Sequence, residues 1–177
     1  MKMALTVILS CTLLGVIVIG AGRKVDSVAT ETTILRTHYR ENADQFENVY
    51  KIFSEQKITR ASFADGKMET FPSGVTGSAN DQLKQFCEKH GIEVLTRQEG
   101  LLMVLPKAYA IEGGFFVSWG YAFNCGSADR AADAPIVGDL TKEPCDGERK
   151  MLYEKLDMRC LLFRRLNDLQ GLVLPSE

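Results

Sequence analysis

The sequence predicts an α+β fold: an apolar amino-terminal helix, a long amphipathic helix, a short second helix and an antiparallel β-meander of about four to six strands. Three patterns predict it. Met3 to Gly22 carries no charged residue. Val28, Leu35, Asn42 and Val49 recur every seven residues, with Thr32, Tyr39, Phe46 and Phe53 displaced by four, which is helical spacing. Phe115, Val117, Trp119, Tyr121 and Phe123 alternate with Ser118, Gly120 and Ala122, which is strand spacing.

At about 1.5 Å per residue, the apolar run makes about 30 Å of helix, the thickness of a bilayer core. A transmembrane anchor over 1–22 is therefore expected, with a cleaved signal peptide as the rival. Gly20-Ala21-Gly22 resembles a small-residue cleavage site, but the run is longer than the roughly 7 to 15 apolar residues such peptides use. Ile8-Leu9-Ser10-Cys11 resembles a lipobox, yet the apolar run continues from Thr12 to Ile19 and places Cys11 inside one span. Lys2 and the pair Arg23, Lys24 flank the run, so charge leaves its orientation balanced. The cysteines beyond it, Cys87, Cys125, Cys145 and Cys160, are an even set suited to disulfides in an oxidising compartment. The expectation is a single-pass membrane protein with its head outside the cytoplasm.

Residues 26–57 contain neither Gly nor Pro and read as one amphipathic helix within a juxtamembrane segment, 23–60. Its stripe is expected to cover the chain's own head, 61–177, with which it is continuous. Bulky Tyr39, Phe46 and Phe53 suit that role better than a narrow two-helix seam, and self-association through 26–57 is the alternative.

A short strand from Ile58 to Phe63, a turn at Asp65-Gly66 and a loose segment through Pro72 and Gly74 come next. The second helix is placed at 79–90, with Ser78 and Asp81 as a capping box, Leu83, Phe86 and Cys87 as its apolar stripe and Gly91 as its stop. Strands follow at 92–97, 101–111 and 115–123, separated by turns at Glu99-Gly100 and Glu112-Gly113-Gly114. Pro106 lacks a donor and should leave the second of them broken, bulged or at an edge there. Residues 124–148 read as a long loop, for which a Cys125–Cys145 bridge would be worth about 3 kcal/mol in the chain-entropy model. Residues 151–163 are expected to form a hairpin about Asp157-Met158, against a helical alternative carried by Leu152, Leu156, Cys160 and Phe163. The core is expected to set Val117, Trp119 and Tyr121 against Leu35, Phe46 and Phe53.

With 21 Lys+Arg against 23 Asp+Glu and a net charge of -2, no basic field exists to gather nucleic acid. No nucleotide-binding, zinc or redox motif occurs, so the sequence implies no cofactor and no metal. Ser118 is explained by the strand pattern, and Phe116 stands where a nucleophile elbow has Gly. His38 is expected beside the apolar stripe and exposed, and His90 is expected to cap its helix C-terminus. Residues 91–148 are acidic, but Asp129, Asp133, Asp139, Glu143 and Asp146 lack the order of a calcium loop and read as solvated. Arg149, Lys150, Arg159, Arg164 and Arg165 make the tail basic and read as the edges of elements. The function expected is a membrane-anchored, non-catalytic interaction or envelope-accessory domain, whose partners are the lipid bilayer and a protein or second copy at the 26–57 helix. The alternatives are a small enzyme assembled from distant residues, with His90 and Cys87 as first candidates, and a coiled-coil self-assembly device.

Overall fold

Ser27 lies in extended geometry and its Oγ accepts the Thr30 amide at 3.4 Å, which starts α1, Val28–Glu55. The computed structural model describes residues 23–25, 27–98, 100–106, 108–126, 128, 134–145, 147 and 150–168. The expected anchor over 1–22, Cys11 and the apolar end of the chain lie outside them. Among the described residues, no helix is long and apolar enough to cross a membrane. One stripe of α1 is buried, comprising Val28, Thr32, Leu35, Tyr39, Phe46, Val49 and Phe53, and it packs on the chain's own sheet. Thr33, Thr37, Arg40, Glu41, Asp44 and Lys51 stand on the exposed side. Asn42 interrupts α1 with φ -129° and ψ 15°, and the helix kinks there.

The strands are β1 (Arg23–Lys24), β2 (Arg60–Ala64), β3 (Lys67–Phe71), β4 (Ile92–Gln98), β5 (Leu101–Pro106), β6 (Ala108–Glu112), β7 (Phe115–Phe123), β8 (Ile136–Val137), β9 (Met151–Lys155) and β10 (Cys160–Asp168). They form one sheet in the order β3-β2-β4-β5-β7-β10-β9-β8, with β6 also on β7 and β1 on β6. The fold class is α+β with a mostly antiparallel sheet, but a meander of about four to six strands is too simple a description. The β1–β6 and β8–β9 pairings are parallel, and the spatial order departs from chain order. Two-residue strands such as β1 and β8 are too short to show alternation. Strand β3 is an edge with no buried position, so its sequence carries no apolar signal.

Turn chemistry sets several boundaries. Asp65 and Gly66 both take positive φ, which joins β2 and β3 as a tight hairpin. Pro106 divides the expected 101–111 strand into β5, which pairs with β4, and β6, which pairs with β1, while both halves pair with β7. The second helix, α2, spans Gly77–His90 and begins at Thr76 rather than at Ser78. Thr76 makes no side-chain cap, and Ser78 Oγ instead accepts from Gln82 Nε2 at 3.3 Å inside the helix. Gly91, at φ 61°, closes α2 by donating its amide to Cys87 O. Residues 151–168 form the hairpin, because Asp157 Oδ1 accepts the amides of Arg159 at 2.7 Å and Cys160 at 2.9 Å and holds the turn. The expected 124–148 loop contains β8 and a 3-10 turn at Leu140–Lys142.

The two helices cover one face of the sheet. Val117, Trp119, Tyr121 and Phe123 point into that core, where Phe46 is fully buried with its ring 4.9 Å from Tyr121 and 5.3 Å from both Tyr39 and Phe86. The opposite face carries a smaller core of Leu101, Met103, Ala122, Tyr153, Leu161 and Phe163.

The expected disulfides do not form: none of Cys87, Cys125, Cys145 and Cys160 is bridged. A Cβ on Gly113 would lie 2.5 Å from the Cys145 carbonyl oxygen, so Cys145 sits at the turn before β7, whereas Cys125 follows the other end of that strand. A nine-residue strand separates the two. At about 3.3 Å per residue that is on the order of 30 Å, and a disulfide needs Cα atoms roughly 4 to 7 Å apart. Cys87 and Cys160 are buried among core side chains on α2 and β10.

Candidate functional site

One network of ionisable and polar side chains joins α1, the last turn of α2 and the middle of β7. Residues 35, 38, 42 and 45 fall on one side of α1 by helical spacing. His90 ends α2, and Tyr121 stands on the helix-facing side of β7. His38 Nε2 lies 2.8 Å from His90 Nδ1, and His38 Nδ1 lies 3.0 Å from the Tyr121 hydroxyl. That hydroxyl donates to Leu35 O at 2.9 Å. On the other side, His90 Nε2 lies 2.8 Å from Gln45 Oε1, to which Lys89 Nζ also donates at 3.0 Å. Gln45 Nε2 donates to Asn42 Oδ1 at 2.8 Å, and Asn42 Nδ2 donates to His38 O at 2.8 Å.

Both histidines depart from their expected places. His38 is half-buried and bonded through both ring nitrogens, and His90 uses its ring on His38 and Gln45 instead of its helix terminus. Burial lowers the His38 pKa, with Glu41 opposing and Lys89 assisting. Burial, the neighbouring His38 ring and Lys89 together bring His90 down to about 4. Burial also raises the Tyr121 hydroxyl well above its ordinary range, so it stays a neutral donor. Cys87, the other residue of the enzyme alternative, is 1% exposed. Two imidazoles and a phenol in line can hold or pass a proton.

A second cluster pins the 3-10 turn to the sheet. Arg36 donates from Nε and Nη2 to the two carboxylate oxygens of Glu154, each at 2.6 Å, and Nη2 also reaches Asp139. Glu154 Oε2 accepts the Leu140 amide at 2.8 Å. Arg164, 1% exposed, donates from Nη1 to Leu140 O and Glu143 O, at 3.1 and 2.8 Å, and from Nη2 to Pro144 O at 3.0 Å. The acidic loop is thus not wholly solvated and the basic tail is not all edge. Asp129, Asp133, Asp146 and Arg149 lie outside the described residues. Among the described residues, no group of three or more His, Cys, Asp or Glu side chains is placed to hold a metal ion.

Asp139 gives this cluster an acid-sensitive component. Bonds from the Thr141 hydroxyl and from Arg36 hold its carboxyl down at about 2, against an ordinary 3.8. A depressed carboxyl stabilises the fold above the unfolded pKa and loses that contribution as pH falls through the folded one. Stability should therefore fall between about pH 4 and pH 2. In Asp139→Asn this limb of a stability-against-pH curve should be shallower, as measured by denaturant midpoints across that window. An unchanged acid limb would remove Asp139 from the account.

Sequence periodicity could have found part of this cluster. Glu154 and Arg164 occupy inward positions of β9 and β10, in alternation with Leu152 and with Leu162 and Leu166. A charge at such a position is a signal for a buried partner. No comparable signal marks the histidine pair, which lies 52 residues apart in the chain. A groove of about 340 Å³ between α1 and the first turn of α2, lined by Asn48, Lys51, Glu55, Thr76 and Gln82 among others, is polar and is bridged by an Asn48–Gln82 bond at 3.2 Å.

No family model, curated protein or solved structure matches this chain.

Proposed function

We propose that the chain is a membrane-anchored, non-catalytic interaction or envelope-accessory domain. The observation that carries this reading is how the head uses its ionisable groups. Arg36, Glu154 and Asp139 pin one turn, Arg164 holds backbone carbonyls, Arg159 donates to Glu47 at 2.7 Å across the β9–β10 turn and α1, and the histidines bond to each other. Charges spent on holding elements together belong to a scaffold that presents a surface. The uncharged run over 3–22 ends directly at Arg23, where β1 joins the sheet beside β6, so an anchor there would hold the head close to the bilayer.

Cys125, exposed on the described surface, supplies the test. Partial burial and the Glu47 carboxylate raise its thiol pKa, so labelling calls for mildly alkaline buffer. The full-length chain is expected to stay in the membrane pellet through an alkaline carbonate wash. A membrane-impermeant maleimide applied to intact and to lysed cells reads which side the head occupies, with most of the label lost in Cys125→Ser. Release into the wash would refute the anchor. Labelling on intact cells would place the head outside the cytoplasm, and labelling only after lysis would place it inside.

A further inference from the structure

The hydrogen-bond chain through the two imidazoles ends at both sides in a backbone carbonyl, Leu35 O and His38 O. Carbonyl oxygens only accept, so they set the polarity of every link between them. Asn42 must turn its amide nitrogen to His38 O, which leaves Oδ1 to accept from Gln45 Nε2. Gln45 must then present Oε1 to His90 Nε2, an orientation that the Lys89 ammonium reinforces by donating to the same oxygen. His90 Nε2 therefore carries a hydrogen. From the other end, the single hydrogen of Tyr121 goes to Leu35 O, so His38 Nδ1 must carry a hydrogen to bond to the phenol oxygen. The central link between His38 Nε2 and His90 Nδ1 still needs one of its own. A phenol and two neutral imidazoles are one hydrogen short of satisfying the chain.

We propose that His38 and His90 form a binding site for one proton, held between them as an imidazole–imidazolium pair, whose loss breaks a link of the chain that spans the α1 kink. Neutral rings would leave two acceptors facing each other at one link, and the added proton removes that conflict with a charge-assisted bond. Other groups bear on it from every packed element. On α1, Glu41 favours the cation. On α2, Lys89 opposes it. From β7 comes the neutral Tyr121, itself influenced by Glu31 and Cys160, while the Phe46 and Phe86 rings pack against His38 and His90. Burial and Lys89 work against the charge. The value of about 4 at His90 includes repulsion from a charged His38, so it describes a second proton on the pair, whereas the missing hydrogen favours the first. The two rings should consequently titrate as a coupled pair rather than as separate histidines.

The chain contains two histidines, so nitrogen-15 NMR of the full-length, histidine-labelled protein reads each ring directly. At pH about 6 the expected result is one imidazolium charge shared between the rings and coupling across the Nε2–Nδ1 contact, with the proton lost in a single step as pH rises. Tyr121→Phe removes the phenol link, and Asn42→Ala releases Gln45 to turn its amide towards His90. Each should lower the midpoint by about one pH unit. The Asn42 variant is the more telling, since the Asn42 side chain bonds to neither ring. Asn42 is half-buried, which keeps the test available if Tyr121→Phe does not fold. Two neutral rings at pH about 6, or a midpoint unmoved in the folded variants, would overturn the proposal.

Discussion

Trp119→Ala is expected to lower the stability of the head by about 3 to 5 kcal/mol. Trp119 is the chain's sole tryptophan, 1% exposed, on the helix-facing side of β7 and opposite Arg164 in the β10 register. Removing its ring opens a cavity in the middle of the sheet, where strands paired on both sides cannot close in to fill it. Its Nε1 is buried and has no hydrogen-bond partner among the described residues. Trp119→Phe therefore forfeits packing without breaking a bond, and should cost about 1 to 2 kcal/mol. Denaturant unfolding followed by far-ultraviolet circular dichroism checks both, since tryptophan fluorescence is lost with the residue. Equal midpoints for wild type and Trp119→Ala would show that the ring does not anchor the core.

Glu154→Ala should cost about 3 kcal/mol, through a different mechanism. The carboxylate accepts twice from Arg36 and once from the Leu140 amide, so truncation strands a guanidinium and a buried backbone donor together. Arg36 retains Asp139 and some solvent contact, which holds the cost to the low end for breaking a buried pair. A paired change, Arg36→Met with Glu154→Leu, should recover part of the loss, because no unpaired charge remains. If Glu154→Ala is no worse than Lys51→Ala, which removes an exposed partner of Glu47, the buried pair has been misjudged.

Several elements were legible in the residues. The seven-residue recurrence from Val28 to Phe53 located α1 and its buried side, and alternation from Phe115 to Phe123 located β7. Gly91, Pro106 and Asp157 marked a stop, an irregularity in a strand and a turn through their own backbone or side-chain chemistry. Strands β1, β3 and β8 were not legible, being too short or too exposed to carry a hydrophobic period. Ser78 misled because a capping pattern states which side chain could cap, whereas α2 begins at Gly77 with Thr76 in the N-cap position and Ser78 already inside the helix.

The cysteines and histidines separate the two kinds of information most clearly. Residue types determined by themselves that the head is α+β, that β7 is apolar on the side bearing Val117, Trp119 and Tyr121, and that a long amphipathic helix has a face to bury. Those properties follow from local periodicity, which a chain carries whatever its final topology. Strand order decided the rest. It placed β7 between Cys125 and Cys145 and so kept apart two thiols that loop length alone would pair. It brought Glu154 to Arg36 across 118 residues and His90 to His38 across 52. Such meetings depend on which strands become neighbours, and that is settled by burial summed over the whole sheet and its helices, not by any pattern near the residues that meet.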